Sequence, residues 1–116
     1  MTYNLKLTNS LTRQKELFKP INPKIVTMYV CGPTVYDNPH VGNARTLVVF
    51  DILYRLLKMI YGNVMYVRNI TDVDDKIIEA SKKKNKPIKE ITNAIIEIFH
   101  KDCKSLNCKL PSQEPK

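Results

Sequence analysis

Glycine is scarce in this chain: of 116 residues only three are glycine, at positions 32, 42 and 62. Neither a G-x-G-x-x-G fingerprint nor a Walker A loop can be written with that set, so the two commonest glycine-rich phosphate cradles are excluded. Cysteine is equally sparse. Cys31, Cys103 and Cys108 make an odd count without framework spacing, and the amino terminus lacks the apolar core of a secretory signal. A disulfide-stapled secreted domain is thereby disfavoured, and a reducing cytoplasm is expected. No apolar run approaches the roughly 20 residues of a membrane span, so no membrane partner is expected. Acidic side chains are outnumbered by Lys and Arg, 11 to 19, and the resulting net charge of +8 favours polyanionic partners such as nucleic acid or anionic lipid. There is no internal repeat and no low-complexity tract. With 43% hydrophobic and 26% charged residues the composition is ordinary for a globular chain with one modest core.

The chain reads as α/β. Residues 1–24 carry charges and the punctuation of Pro20 and Pro23, and are expected to be a surface lead-in with at most a short edge strand at Leu5-Lys6-Leu7. Ile25 to Val30 is apolar toward both faces, as in a central parallel strand. From Pro39 to Tyr61 the pattern is helical, with Asp51, Tyr54, Arg55 and Lys58 along one seam. Leu47, Val48, Val49, Phe50, Ile52, Leu53, Leu56, Leu57 and Ile60 cover most of the rest. Such a helix should be largely buried against a sheet and end at Gly62. Val64 to Ile70 is a second strand, which completes a right-handed βαβ unit. Thr71 and Asp74 have capping-box spacing, and would place Asp72, Asp74 and Asp75 in the first turn of a helix. Another helix starts near Pro87 with the stripe Ile88, Ile91, Ile95, Ile98, Phe99 and Leu106, and residues 107–116 look like a connection leading elsewhere.

Chemistry concentrates between Met28 and Arg45. Gly32 and Gly42 let a ligand approach the main chain, and Asn38-Pro39 fits an N-cap and first helical residue, putting His40, Gly42 and Asn43 in the first turn. That turn offers unpaired N–H groups and the positive end of the helix dipole, which suit a phosphate. Cys31 ends the strand and aims a thiol at the same crevice, where open α/β sheets bind ligands.

These residues carry a resemblance. The chain looks like the amino-terminal part of a bacterial-type cysteinyl-tRNA synthetase, a class I aminoacyl-tRNA synthetase. His40-Val41-Gly42-Asn43 corresponds to the family's HIGH motif, with Asn43 in place of the usual final histidine. Met28 through Asp37 matches the block before it, and Tyr66 through Lys76 a second block. The resemblance implies a partial Rossmann-like catalytic domain that activates L-cysteine with ATP and Mg²⁺ and passes it to tRNA(Cys), as a cytoplasmic monomer. It implies that His40 contacts ATP and stabilises charge as the cysteine carboxylate attacks the α-phosphate. Gly42, Asn43 and Thr34 would then bind ATP, with Asn43 as a second catalytic position. Gly32, Thr34 and Thr71 would lie near the amino acid, and Cys31 would ligate a zinc ion that holds the substrate thiolate. Zinc prefers sulfur over a hydroxyl, which would separate cysteine from serine.

Plainer readings stand beside these. His40 alone could be a capping or surface histidine, Cys31 an inert thiol, Thr34, Tyr36 and Asp37 turn formers, and Asn69, Thr71 and Asp72 caps of the next helix. The lysines at 82–84, 86 and 89 read as solvated surface, with a tRNA-facing patch as the alternative. His100 and Cys103 share a helical face, but the spacing to Cys108 fits no common zinc pattern, and no local metal site is expected there. The resemblance covers nearly the whole chain but only the first part of a synthetase. Residues 25–116 are expected to be the first half of the nucleotide-binding domain, truncated before the KMSKS loop, the other zinc ligands and the anticodon-binding region. The piece is therefore expected to be inactive alone. Two other functions compete: a cysteine ligase of the mycothiol pathway, which resembles the same motifs, and a non-catalytic nucleotide- or RNA-binding module.

Overall fold

The computed structural model describes residues 3–116. In chain order the elements are β1 (Lys6–Asn9), β2 (Gln14–Leu17), β3 (Val26–Val30), α1 (Val41–Tyr61), β4 (Val64–Arg68), α2 (Asp75–Lys84) and α3 (Ile88–Ser105). The centre is α/β. β3 and β4 pair in parallel from Val26↔Val64 to Val30↔Arg68, and α1 is the crossover between them. Val26, Met28, Val30, Val64 and Tyr66 bury one face of this pair against Leu57, Phe50, Leu53 and Tyr54 of α1. The expected burial on both faces does not occur. Tyr29 is 66% exposed and Met65 is exposed, because the helices pack on the opposite side.

The same geometry turns α1 differently from the expectation of near-complete burial. Half of its seam faces inward: Asp51 is buried and Tyr54 lies 5.3 Å, centroid to centroid, from Tyr66, while Arg55 and Lys58 are exposed. Val48, Val49, Ile52 and Met59 remain exposed on the other side. Asp51 earns its inward position by hydrogen bonding, since its carboxylate accepts from Arg55 Nε at 2.6 Å and from the Lys109 backbone N–H at 2.7 Å.

Residues 1–24 are more than a lead-in. Among those described, β1 and β2 form an antiparallel hairpin. It turns through Arg13 at φ 58 and is fastened to the core by Leu5 and Phe18. Phe18 meets Tyr61 edge-on at 6.1 Å. β1 overlaps the edge strand expected at Leu5-Lys6-Leu7, whereas β2 carried no signal, because three of its four residues are exposed and two are charged.

α3 begins after Pro87 as expected, but its stripe is offset. Ile91, Thr92, Ile95, Ile96, Phe99 and Cys103 are buried, whereas Ile88, Ile98 and Leu106 are exposed. Residues 107–116 pack onto the fold. The tail folds back beside β4, with Ser112 N–H donating to Tyr66 O at 2.6 Å, Arg68 N–H to Gln113 O at 3.1 Å and Ile70 N–H to Pro115 O at 2.8 Å. This strap, residues 112–115, works as a third strand across the edge of β4. It brings Glu114 within 2.8 Å of the Arg68 guanidinium, which is 2% exposed and lies 4.9 Å from the centroid of Phe99. The other Glu114 oxygen sits 2.5 Å from His100 Nε2.

Candidate functional site

At the carboxyl ends of β3 and β4 the chain opens into two adjoining depressions. One, of about 110 Å³, is lined by Cys31, Gly32, Asn43, Thr46, Arg68 and Phe99 among others. The other, of about 230 Å³, is lined by Gly32, Thr34, Tyr36, His40, Asn43 and Phe99 among others. Gly32, Pro33, Asn43 and Phe99 belong to both, so the depression bordered by Cys31 adjoins the one bordered by His40. Thr71 reaches it through the backbone. Thr71 N–H donates to Pro33 O at 3.0 Å, and Val35 N–H donates to Thr71 O at 3.1 Å.

His40 is the N-cap of α1, two residues later than Asn38 was expected to be. Its backbone is extended, with φ −127 and ψ 176, and its Nδ1 accepts from Gly42 N–H at 3.0 Å. Asn43 Oδ1 reciprocates by accepting from His40 N–H at 2.9 Å. A histidine at the cap and an asparagine three residues on reproduce a capping box with unusual residue types. An accepting Nδ1 carries no proton, which leaves the hydrogen on Nε2 as a donor. The expected nest of unpaired N–H groups is consequently smaller than the sequence suggested. Gly42 N–H is taken by the imidazole, and Asn43 and Ala44 N–H both reach His40 O, at 2.9 and 3.2 Å. The first turn of α1 contains no acidic residue, so its positive dipole end stays uncompensated and suited to an anion.

Of the two cleft glycines, Gly32 is required by contact with backbone, whereas Gly42 is crowded only by a side chain. A Cβ on Gly32 would lie 1.6 Å from Asn69 O, and one on Gly42 would lie 2.8 Å from His40 Cε1. The space above Gly42 is filled by the capping imidazole itself. Gly32 N–H is also committed, donating to Asn69 Oδ1 at 2.7 Å. Asn69 therefore does not cap the next helix. That role falls to Asp74, whose side chain accepts from Lys76 N–H at 2.9 Å, leaving Asp75 in the first turn and Asp72 and Thr71 outside the helix. Lys76 Nζ rests 5.3 Å from the centroid of Tyr36.

Cys31 is exposed, and its Sγ has one polar neighbour, Gly32 O at 3.9 Å. Among the described residues no group of three or more His, Cys, Asp or Glu is placed to hold a metal ion, His100, Cys103 and Cys108 included. The residues present thus do not fit zinc as a complete set, since four-coordinate zinc needs ligands besides this one thiolate. Arg68, on which sequence reading was silent, forms part of the cleft lining. Burial lowers its affinity for a proton, but the hydrogen bond to Glu114 together with nearby Tyr66, Cys103 and Glu114 outweighs this, and its charge is held above even the ordinary arginine range. Burial pushes the Cys103 thiol up. No helix among the described residues is long and apolar enough to cross a membrane.

A parallel β3–α1–β4 unit with a cleft at the strand ends, and a His-x-Gly-Asn cap opening the crossover helix, place the chain in the α/β class with a parallel sheet. The sequence model for tRNA synthetases class I (C) catalytic domain matches residues 17–116, and the chain belongs to that family. It is similar to curated proteins called cysteine--tRNA ligase. Identity is 59% over 112 residues with that of Wolbachia sp. subsp. Drosophila simulans (strain wRi), covering 97% of this chain and 24% of the relative. It is 58% over 118 residues with that of Pelagibacter ubique (strain HTCC1062), covering 100% of this chain and 26% of the relative. With the protein of Paramagnetospirillum magneticum (strain ATCC 700264 / AMB-1) it is 57% over 112 residues, 97% of this chain and 24% of the relative. The chain spans about a quarter of the length of these relatives.

Proposed function

We propose that this chain supplies the ATP- and cysteine-facing wall of a cysteine--tRNA ligase, with residues 25–116 as the first half of its nucleotide-binding domain and residues 1–24 as a preceding hairpin segment. The observation that carries the reading is the pair of adjoining depressions, one bordered by Cys31 and one by the His40 cap, on a chain 53–59% identical to proteins of that name. ATP lies with its phosphates toward the uncompensated end of α1. The His40 Nε2–H then donates to a phosphate oxygen on which negative charge builds as the cysteine carboxylate attacks the α-phosphorus and pyrophosphate leaves. Because Nδ1 is already occupied by Gly42 N–H, the imidazole is oriented before the nucleotide arrives, and little reorganisation is needed.

Asn43 has its Oδ1 engaged by His40 and its amide nitrogen free for the nucleotide, so it holds both the cap and the ligand. Thr34 borders the same depression and Thr71 is bridged to it, which supports a role for the two hydroxyl residues beside the amino acid. Gly32 contributes a carbonyl rather than a donor or room, since Asn69 takes its N–H and fills the space beside its Cα. Mg²⁺ accompanies the ATP phosphates. Cys31 contributes one thiolate to a zinc site whose other ligands lie outside the described residues, and no step is assigned to that ion. tRNA(Cys) is the acceptor, the cytoplasm the compartment and the monomer the working form.

Calorimetric titration with ATP and with tRNA, on the wild-type chain and His40→Ala, tests this. ATP binding that weakens about tenfold on losing His40 supports the reading, the loss corresponding to about 1.4 kcal/mol. Tight tRNA binding with no ATP binding and no dependence on His40 would instead indicate a nucleic-acid-binding module.

A further inference from the structure

The two strands do not stay in register as they enter the cleft. Val30 pairs with Arg68, but the next parallel bridge joins Thr34 to Thr71, so one more residue is accommodated after β3 than after β4. A slip of this kind is the signature of a bulge, which bends the strand and re-aims a side chain beside a site. Here the residues at the slip begin with Cys31 and Gly32. A bulge leaves a backbone N–H without its ladder carbonyl, and a part-buried N–H without an acceptor is costly. In this chain the Gly32 N–H finds the side-chain oxygen of Asn69 at 2.7 Å, across 37 residues of sequence. The main-chain carbonyl of the same Asn69 closes the other side, 1.6 Å from where a Gly32 Cβ would stand.

We propose that Asn69 is the positioning residue of this bulge: its amide oxygen replaces the missing ladder acceptor and so fixes the Cys31–Gly32 peptide that presents the Cys31 thiol to the cleft. Cys31 itself gains no rigidity from packing, for it is exposed and its sulfur has only the Gly32 carbonyl nearby. Its direction is inherited from the peptide that follows it. Asn suits the role because a carboxamide reaches as far as a carboxylate but adds no charge beside the guanidinium-bearing end of β4.

The inference deepens the proposed cysteine-activating reading, and its test is independent of any nucleotide. In the wild-type chain, a through-hydrogen-bond scalar coupling between the Gly32 amide nitrogen and the Asn69 side-chain carbonyl carbon is expected. In Asn69→Ala, Gly32 amide exchange should speed up about five- to tenfold, the equivalent of one lost hydrogen bond. Cys31 alkylation by iodoacetamide should rise about threefold or more, while Cys108 alkylation stays at its wild-type rate. Asn69→Asp keeps the acceptor oxygen and should return both Cys31 and Gly32 to within about twofold of wild type. A missing coupling in the wild type, or an unchanged Cys31 rate in a folded Asn69→Ala, overturns the proposal. So does Asn69→Asp behaving like Asn69→Ala. If Asn69→Ala fails to fold, the wild-type coupling and the Asn69→Asp variant decide. Absent ATP binding with these thiol results intact would overturn the functional reading and leave the bulge standing.

Discussion

Glu114→Ala should destabilise the fold by about 3 kcal/mol, because the substitution leaves the Arg68 guanidinium buried without its counter-charge. Breaking one partner out of a buried ion pair costs roughly 3–5 kcal/mol, most of it the penalty on the charge left behind. Arg68 is at the severe end of that class: its side chain is 2% exposed and its Nε already has no hydrogen-bond partner. Glu114 keeps 18% side-chain exposure, so water can partly take the carboxylate's place and the lower end of the range applies. For a chain of this size about 3 kcal/mol corresponds to a midpoint lowered by about 12 °C, against a total stability of about 6–17 kcal/mol. Arg68→Met removes the charge, keeps apolar volume beneath Phe99 and leaves Glu114 with His100, so it should cost about 1 kcal/mol. The double variant should resemble Arg68→Met, with a coupling of about 3 kcal/mol in the cycle. Urea unfolding followed by circular dichroism on the four proteins supplies the numbers. A Glu114→Ala loss below about 1 kcal/mol, the worth of an exposed pair, would refute the claim that the strap is locked by a buried charge.

Further expectations concern the cleft and the alkaline limb. Gly32→Ala should lower stability by about 3 kcal/mol or prevent folding, since backbone at 1.6 Å from the new Cβ cannot yield as a side chain can; a melt within about 2 °C of wild type would contradict this. Gly42→Ala meets only the swivelling His40 ring, so helix propensity gained and cap lost should cancel to within about 1 kcal/mol while ATP affinity falls, which melts and calorimetry separate. Burial raises the Cys103 thiol from its ordinary 9.0 and the Tyr66 phenol from its ordinary 10.0, against the downward pull of Arg68. Both are acids that the unfolded chain deprotonates first, so their contribution is whole below about pH 9 and is lost as pH climbs through the raised values. Urea midpoints should therefore fall as pH rises above about 9, less steeply in Cys103→Ala, and an identical slope in that variant would dismiss the thiol as a cause.

What could be read beforehand followed from periodicity and local motifs. Strand, long helix and strand were legible because the short apolar runs Ile25–Val30 and Val64–Ile70 flank Leu47 to Ile60 at helical spacing, whereas the one-sided burial of β3 was not, because Tyr29 and Thr27 do not break the apolar run sharply. The cleft residues His40, Asn43, Gly32 and Thr34 were legible because they sit in one contiguous loop. The cap was misplaced by two residues since Asn38 and Pro39 are common at helix starts and histidine is not, and the reciprocal His40–Asn43 bonding depends on side-chain geometry. The hairpin and strap escaped notice for a different reason. Their stability comes from non-local partners, Phe18 on Tyr61 and Glu114 on Arg68, that no window of adjacent residues contains. The same holds for Asn69, whose partner lies 37 residues away.

The most direct test of the central claim, that Cys31 and the His40 cap border one ligand-binding cleft, is an amide chemical-shift titration of the chain with ATP. The account predicts that Gly32, Thr34, His40, Gly42 and Asn43 shift together along one saturating curve, and that Cys31 alkylation slows in step with it. Shifts confined to the lysines of α2 and the loop after it, with the Cys31 rate unchanged at saturation, would contradict it.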